Sequence, residues 1–520
     1  MGLNLVSFFN EKITKHQKLA FISTFIAMLL VHLYMFTNGF WGRDSLLNYY
    51  ADQNILGSGR WALSVSCAFS SYFNLPWAIG LICCAAVGLT AVAVVSVLRI
   101  ENPVLILLTG GLLAATPTVT ETLTFLFTAD GYFIAMALAA AAVYFSRIEE
   151  KRLSFTFLSA ACICVSCGIY QAYLSLSLIL AVCYFMTELF LNRFDKKEYL
   201  LWIGKQAVIF ISALAAYYII WQLCMKIQDV EPNDYQGIAE VGQVSLDLLK
   251  NGLKSSIRTF KWYFAPWSVP VYGFTPYIAL NLIFVLFFLA SVCLALWKSK
   301  IWQRPWALGL VILCLISIVP FSSIWHFTSD SIYYRTMMLP GMPILFLFAA
   351  LNFEHWGKLW LKNLYGIVLL AVVLNYGVMA NIVYYHMDLA EQRTYIEGAE
   401  MASRIRALQK EHDVDRYAII GQRYAKMMLR GHNPEYGNTN EVGQIEIFAN
   451  TLDRNLLIES VRIFEFLDKI ASLDMEYVWH TEIQDQCMES EVFQEMPCWP
   501  EIGSIGIIDD TIVVKISDTP

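Results

Sequence analysis

The sequence predicts a mainly α fold: a polytopic helical membrane protein of about eleven spans, followed by a small α/β domain. Three observations predict it. Of 520 residues, 57% are hydrophobic and only 15% charged, with a mean hydropathy of +0.52, where a soluble domain carries about 25% charged residues. Apolar runs of the length that crosses a ~30 Å hydrocarbon core recur along the first three quarters of the chain. From about Leu389 the composition turns to that of an ordinary globular domain.

The runs lie near 19–40, 77–98, 104–126, 131–146, 154–170, 172–190, 200–225, 276–297, 306–323, 332–352 and 364–385. The first follows Met1 to Lys18, which has no small-residue cleavage site, so it reads as a retained span. The segment Leu46 to Phe73 is too polar and too broken to cross; it is expected to form short helices on the membrane surface, with Trp61, Tyr72 and Phe73 in the interface. The fifth and sixth spans share one long stretch, divided at Gly168-Ile169-Tyr170-Gln171.

Charge orients the spans. Lys12, Lys15 and Lys18, then Arg99, then Arg147, Lys151 and Arg152, then Arg193, Lys196 and Lys197, then Lys298, Lys300 and Arg304, then Lys358 and Lys362 all fall on one face. By the positive-inside rule that face is cytoplasmic, which puts the N-terminus inside and the C-terminal domain outside. Asp44, Glu121, Asp130, Asp330 and Arg335 fall on the outer face. The loop 226–275 is also outer, although Lys250, Lys254, Arg258 and Lys261 run against the rule.

The domains are therefore 1–388, membrane-embedded, and 389–520, extracytoplasmic. In the latter, Glu391 to Lys410 reads as an amphipathic helix with Ile396, Ala399, Ala402, Ile405 and Leu408 on one face. Strands are expected at Arg416 to Ile420, Ile505 to Ile508 and Thr511 to Ile516, the last two joined by an Asp509-Asp510 turn. Most cysteines sit within spans as small apolar residues, and the spacing of Cys162, Cys164 and Cys167 fits no zinc site. Cys487 and Cys498 share the polar domain and either pair or stay free. No Walker loop or dinucleotide fingerprint is present, which argues against an ATP-driven pump, and no nucleic-acid partner is expected.

Trp41-Gly42-Arg43-Asp44-Ser45 stands directly after the first span. A carboxylate there is costly to desolvate unless it is used. Asp44 either accepts a proton from an attacking hydroxyl as a general base, or pairs with Arg43 or Arg60 to cap the span. Asp130, in Phe127-Thr128-Ala129-Asp130-Gly131-Tyr132, either assists the first acid, orients an acceptor or binds a cation, or serves as a helix cap. Glu121 reads as a solvated loop residue. Arg335 either holds a lipid phosphate or snorkels to headgroups; Arg60, beside Trp61, is a second phosphate candidate. Tyr170, Gln171, Trp325, His326 and Trp262 are candidates for sugar or acceptor binding, although an interfacial aromatic belt would look the same.

Asp44, Gly57-Ser58-Gly59-Arg60-Trp61, Ser71-Tyr72-Phe73-Asn74-Leu75-Pro76-Trp77, the Asp130 segment and Gly168-Ile169-Tyr170-Gln171-Ala172-Tyr173 together resemble the Gtr-type glucosyltransferases that decorate O-antigen and related surface glycans. The likeness runs over roughly 20–390, with Gly503-Ser504-Ile505 and the closing strands echoing the family's tail. It implies a GT-C-like plan and an inverting hexosyl transfer, glucose being the usual sugar, from a polyprenyl phosphate to a surface polysaccharide or lipid-linked glycan outside the cytoplasm. It further implies Asp44 as base, Asp130 as a second acid, membrane lipids as surroundings, and a flippase and a donor synthase as pathway partners. The place implied is the bacterial plasma (inner) membrane. Arg335, Arg60 and Arg43 fall to the donor phosphate by chemistry and topology; because basic residues can stabilise the leaving group, no metal is obligatory, while a divalent cation is compatible with the acids. Arg43 departs from the family's pattern, since a guanidinium next to the base would weaken it unless it faces a phosphate. The alternative is a transporter or flippase of lipid-linked glycans, which calls for ionisable residues within the spans rather than at their outer ends. A glycan polymerase or ligase, or a structural or receptor role, would fit less of the pattern.

Overall fold

The computed structural model describes residues 12–42, 44–48, 50–231, 245–264, 276–327, 336–422 and 460–518. Arg43 and Arg335 lie outside the described residues, as does the side chain of Trp262. The chain forms two compact units. One holds residues 12–39 and most of 50–382; the other holds 40–48, 383–422 and 460–518.

The first unit is a helical bundle. Helix α1 (Lys15–Asn38) starts at a capping box, in which Thr14 and Gln17 satisfy each other's backbone N–H groups. It ends at Gly39, whose φ of 67° places it in the left-handed region open to glycine. Two short helices, α2 (Leu63–Ser66) and α3 (Ala68–Phe73), precede α4 (Pro76–Leu98), which begins on a proline at a position where the missing N–H costs nothing. Next come α5 (Pro103–Ala115) and α6 (Pro117–Leu123), bent by 41°. The predicted third span is thus broken, because Pro117 cannot donate to the preceding turn. Helix α7 (Leu126–Phe145) is followed by α8 (Leu153–Ile169), and extended Tyr170 then breaks the chain before α9 (Leu174–Leu191), where the division was expected. The bundle continues through α10 (Lys196–Gln228), α11 (Leu246–Phe264), α12 (Pro276–Lys298), α13 (Pro305–Ser322) and α14 (Met342–Trp356).

Among the described residues, eight helices are long and apolar enough to cross a membrane, or nine with the bent pair. Ten of the eleven predicted runs fall largely on helices; of the run 332–352, residues 332–335 lie outside the described residues and the helix begins at Met342, and α8 and α14, at 17 and 15 residues, are too short to count by that measure. Three of the basic loops assigned to one face, those of Arg99, Arg147 and Arg193, lie together through ion pairs. Arg99 pairs with Glu149 and Glu188 at 3.3 Å each, Arg193 with Glu188 at 3.2 Å, and Arg147 with Glu150 at 3.4 Å.

Helix α15 spans Leu359–His412. The last predicted span and the predicted Glu391 helix are therefore one element, since no glycine or proline interrupts Tyr385 to Glu391. Its part from Val383 belongs to the second unit. The buried stripe there runs through Thr394, Gly398, Met401, Ala402 and Ile405, whereas Ile396 and Ala399 are exposed. Gly398 sets this register: a Cβ there would strike the ring of Phe466.

The second unit carries a four-stranded sheet in the order β2-β1-β4-β3, made of β1 (Arg416–Ile420), β2 (Glu476–Tyr477), β3 (Ile505–Ile508) and β4 (Thr511–Lys515). Strand β1 runs parallel to β2 and β4, and β3 pairs antiparallel with β4 through the expected Asp509-Asp510 turn. Alternate residues face opposite sides. Tyr417, Ile419, Ile512 and Val514 meet α15 and α16 (Ser460–Lys469), while Ala418, Ile420 and Val513 meet α17 (His480–Glu489) and α18 (Glu491–Glu495). Cys487 and Cys498 are both free thiols.

Candidate active site

The residues after the first span fold into the second unit. Trp41 and Leu46 are buried in its core with Met401, Ile405 and Phe466. The Trp41 ring lies 5.1 Å from Tyr395 and edge-on to Phe466 at 6.4 Å, and its backbone N–H donates to a Glu391 carboxylate oxygen at 3.0 Å. Between the two apolar anchors the chain turns, with the Ser45 N–H donating to the Gly42 carbonyl and the Gly42 N–H to Ser45 Oγ. The Asn48 side chain donates to the Asp44 carbonyl at 2.8 Å. A short loop is thus held at both ends and braced in the middle, and Asp44 rides on it.

The Asp44 carboxylate is one-third exposed. Its Oδ1 accepts from Arg462 Nη2 at 3.1 Å, and Arg462, on α16, is only 5% exposed. Among the described residues Oδ2 has no partner. Of the partners expected, Arg43 lies outside the described residues; the cation found on Asp44 comes from 418 residues further along the chain. A carboxylate with one oxygen fixed by a buried guanidinium and the other open is oriented and can still accept a proton.

Asp130 is held differently. It lies in α7, 1% exposed. Its Oδ1 accepts from Ser70 Oγ at 2.6 Å and from the Gly131 N–H at 2.9 Å, and its Oδ2 accepts from the Ser70 N–H at 3.1 Å. Ser70 belongs to α3, so this carboxylate ties the short helix to the bundle. Glu121 is not the solvated residue expected: it is buried and accepts the Met337 N–H at 2.7 Å, because the bend at Pro117 turns α6 inward.

Arg60, Tyr170 and Gln171 are brought together in the first unit. The Arg60 guanidinium lies 4.8 Å over the Tyr170 ring and donates to the Tyr132 hydroxyl at 3.1 Å. The Tyr132 and Tyr170 rings stack at 4.6 Å. Gln171 Nε2 donates to the Ser58 carbonyl at 2.8 Å and to the Tyr217 hydroxyl at 2.9 Å. Cation and aromatic faces in one cluster suit a phosphate or a sugar ring. Trp61 is half-buried and packs on Gly168, where any side chain would clash; Tyr72 and Phe73 are exposed. Trp325 neighbours His326, which is buried and shares a hydrogen bond of 2.9 Å with Thr259 Oγ1 on α11.

A family profile described as Glucosyl transferase GtrII matches residues 33–351, which include Asp44, Arg60, Asp130 and Gln171. The chain belongs to this family. Searches of curated proteins and of solved structures each find no significant match. The GtrII match makes the chain a member of a glucosyltransferase family with several helices long enough to span a membrane. It ends before α15, so the second unit's sheet and Arg462 lie outside it.

Sequence reading missed Arg462, Tyr132, Tyr217 and Asp52, whose Oδ1 accepts from Ser64 Oγ at 2.6 Å. Arg462 carried no local signal, because an arginine in an amphipathic helix reads as a solvated residue. Among the described residues no group of three or more His, Cys, Asp or Glu is placed to hold a metal ion.

Proposed function

We propose that this GtrII-family protein is an inverting hexosyltransferase that moves a sugar, glucose being the family's namesake, from a polyprenyl phosphate to a surface polysaccharide or lipid-linked glycan. The observation that carries the reading is the state of Asp44: anchored by Trp41 and Leu46, fixed through one oxygen by Arg462, and open at the other.

In this reading Asp44 takes the proton of the acceptor hydroxyl as its oxygen bonds to the anomeric carbon. The bond from that carbon to the phosphate oxygen breaks on the opposite face, and polyprenyl phosphate leaves with the electron pair. Base catalysis of this kind contributes about 10²–10⁴ in rate. Arg60, already over an aromatic ring, is assigned to the phosphate together with Arg335 and Arg43 on their chemistry. Tyr170, Gln171, Trp325, His326 and Trp262 remain assigned to the sugar or acceptor. Asp130, with both oxygens occupied by Ser70 and Gly131, supports a bracing role better than a catalytic one. The domains 1–388 and 389–520, the outer placement of the latter, the inner-membrane location and the flippase and synthase pathway belong to the same reading.

The test is transfer of label from radiolabelled polyprenyl-phosphate glucose to surface glycan in membranes carrying wild type or Asp44→Asn at equal protein levels. Loss of transfer by about 10²–10⁴ with donor binding intact supports the reading. An active Asp44→Asn protein, or wild type that moves no label, refutes it.

A further inference from the structure

Helix α11 carries three stripes at helical spacing. Gly252, Ser256, Thr259 and Tyr263 are buried. At Gly252 a Cβ would meet the His326 carbonyl oxygen at 2.7 Å and the Phe327 ring at 2.9 Å, and Thr259 bonds to His326, so this stripe is the packed face. About a quarter turn away, Leu246, Leu249, Leu253 and Ile257 are exposed, Leu246 by 85%. About a further quarter turn on, Lys250, Lys254, Arg258 and Lys261 are exposed too. Asp247 is the helix's one acid.

Neither water nor hydrocarbon suits both outer stripes. A helix facing water does not display four aliphatic side chains in a row, and one crossing a bilayer does not display four cations beside them. The boundary between the two media satisfies each stripe where it stands. The sign of the charge selects the lipid, since surface cations are drawn to anionic headgroups within a Debye length.

We propose that α11 lies in the membrane interface, with Leu246, Leu249, Leu253 and Ile257 among acyl chains and Lys250, Lys254, Arg258 and Lys261 on the phosphates of anionic phospholipids. The proposal does not depend on the sugar-transfer reading. It also gives a use to the four basic residues that run against the positive-inside assignment of their loop: they answer to a surface rather than to topology.

The test uses the full chain in vesicles of phosphatidylcholine and phosphatidylglycerol. Leu253→p-benzoylphenylalanine, irradiated there, is expected to gain the mass of a phospholipid; an adduct to a protein chain, or none, overturns the apolar half. Spin-labelled phosphatidylglycerol and phosphatidylcholine are then compared for the immobilised fraction they contribute. One cation at the surface favours an anionic lipid by about fivefold. The preference of wild type for phosphatidylglycerol is therefore expected to fall at least about twofold in the Lys250→Gln/Lys254→Gln/Arg258→Gln/Lys261→Gln protein. An unchanged preference overturns the electrostatic half. Both readouts are independent of sugar transfer, so failure here leaves that reading standing, and an inactive enzyme leaves this one standing.

Discussion

Removing Arg462 tests whether the second unit orients the proposed base. Arg462→Gln deletes the cation 3.1 Å from Asp44 while keeping much of the side chain's volume. Unit charges at that distance attract by about 5 kcal/mol at an effective dielectric near 20, and desolvation of the pair offsets part of it. Breaking a buried pair costs about 3–5 kcal/mol; with Arg462 buried but Asp44 one-third exposed, the lower end, about 3 kcal/mol, applies to the stability of this unit. The catalytic effect is separate. A reacting group displaced by about 1 Å loses about 10² in rate, so Arg462→Gln is expected to lower kcat by about 10–100-fold with little change in KM for the donor. The assay is transfer of radiolabelled glucose, normalised to folded protein, for wild type, Arg462→Gln, Asp44→Asn and the double variant. If Arg462 acts through Asp44, the double variant is no slower than Asp44→Asn alone. Multiplying losses, or a folded Arg462→Gln protein with full activity, would refute the reasoning. Arg462→Lys, which retains the charge, is expected to recover part of the rate.

Three further outcomes follow from other sites. Asp130→Asn places an amide nitrogen among the donors of Ser70 and Gly131 and is expected to cost about 1–3 kcal/mol in thermal unfolding while folded protein keeps at least about a tenth of its transfer rate; a loss of 10² or more would make Asp130 catalytic. Lys515, 2% exposed, donates to the carbonyls of Phe493 and Met496 at 2.8 Å each, so Lys515→Met, which leaves them without this donor, is expected to destabilise the sheet domain by about 1–3 kcal/mol, read from a denaturant midpoint. Burial pushes the Cys487 thiol up to about 11, so its thiolate is scarce at neutral pH and grows as pH rises toward that value; maleimide is expected to modify the more exposed Cys498 first at pH 7.5, and faster labelling of Cys487 would contradict the packing of α17.

How much was legible depends on the range of the physics involved. The helices of the bundle, the break at Tyr170 and the hairpin at Asp509-Asp510 were readable because apolar length, extended backbone and turn chemistry are properties of neighbouring residues. The same local rules named Asp44, since a carboxylate beside a span is costly wherever the chain later goes. They could not name its partner. Arg462 reaches Asp44 only because Trp41 and Leu46 find more of their buried surroundings in the second unit's core, a choice made by packing across 418 residues. Packing also decided the stripe of α15, where Gly398 admits Phe466 and moves Ile396 and Ala399 outward. It also set the surroundings of Asp130, whose residue type reads alike for a base and a brace and whose two oxygens accept from Ser70. The sequence by itself thus determined which segments are apolar and where charge must be accounted for. The tertiary structure alone decided which charges meet, because hydrogen bonds and ion pairs need approach to about 3 Å, and no local pattern carries a distance between residues far apart in the chain.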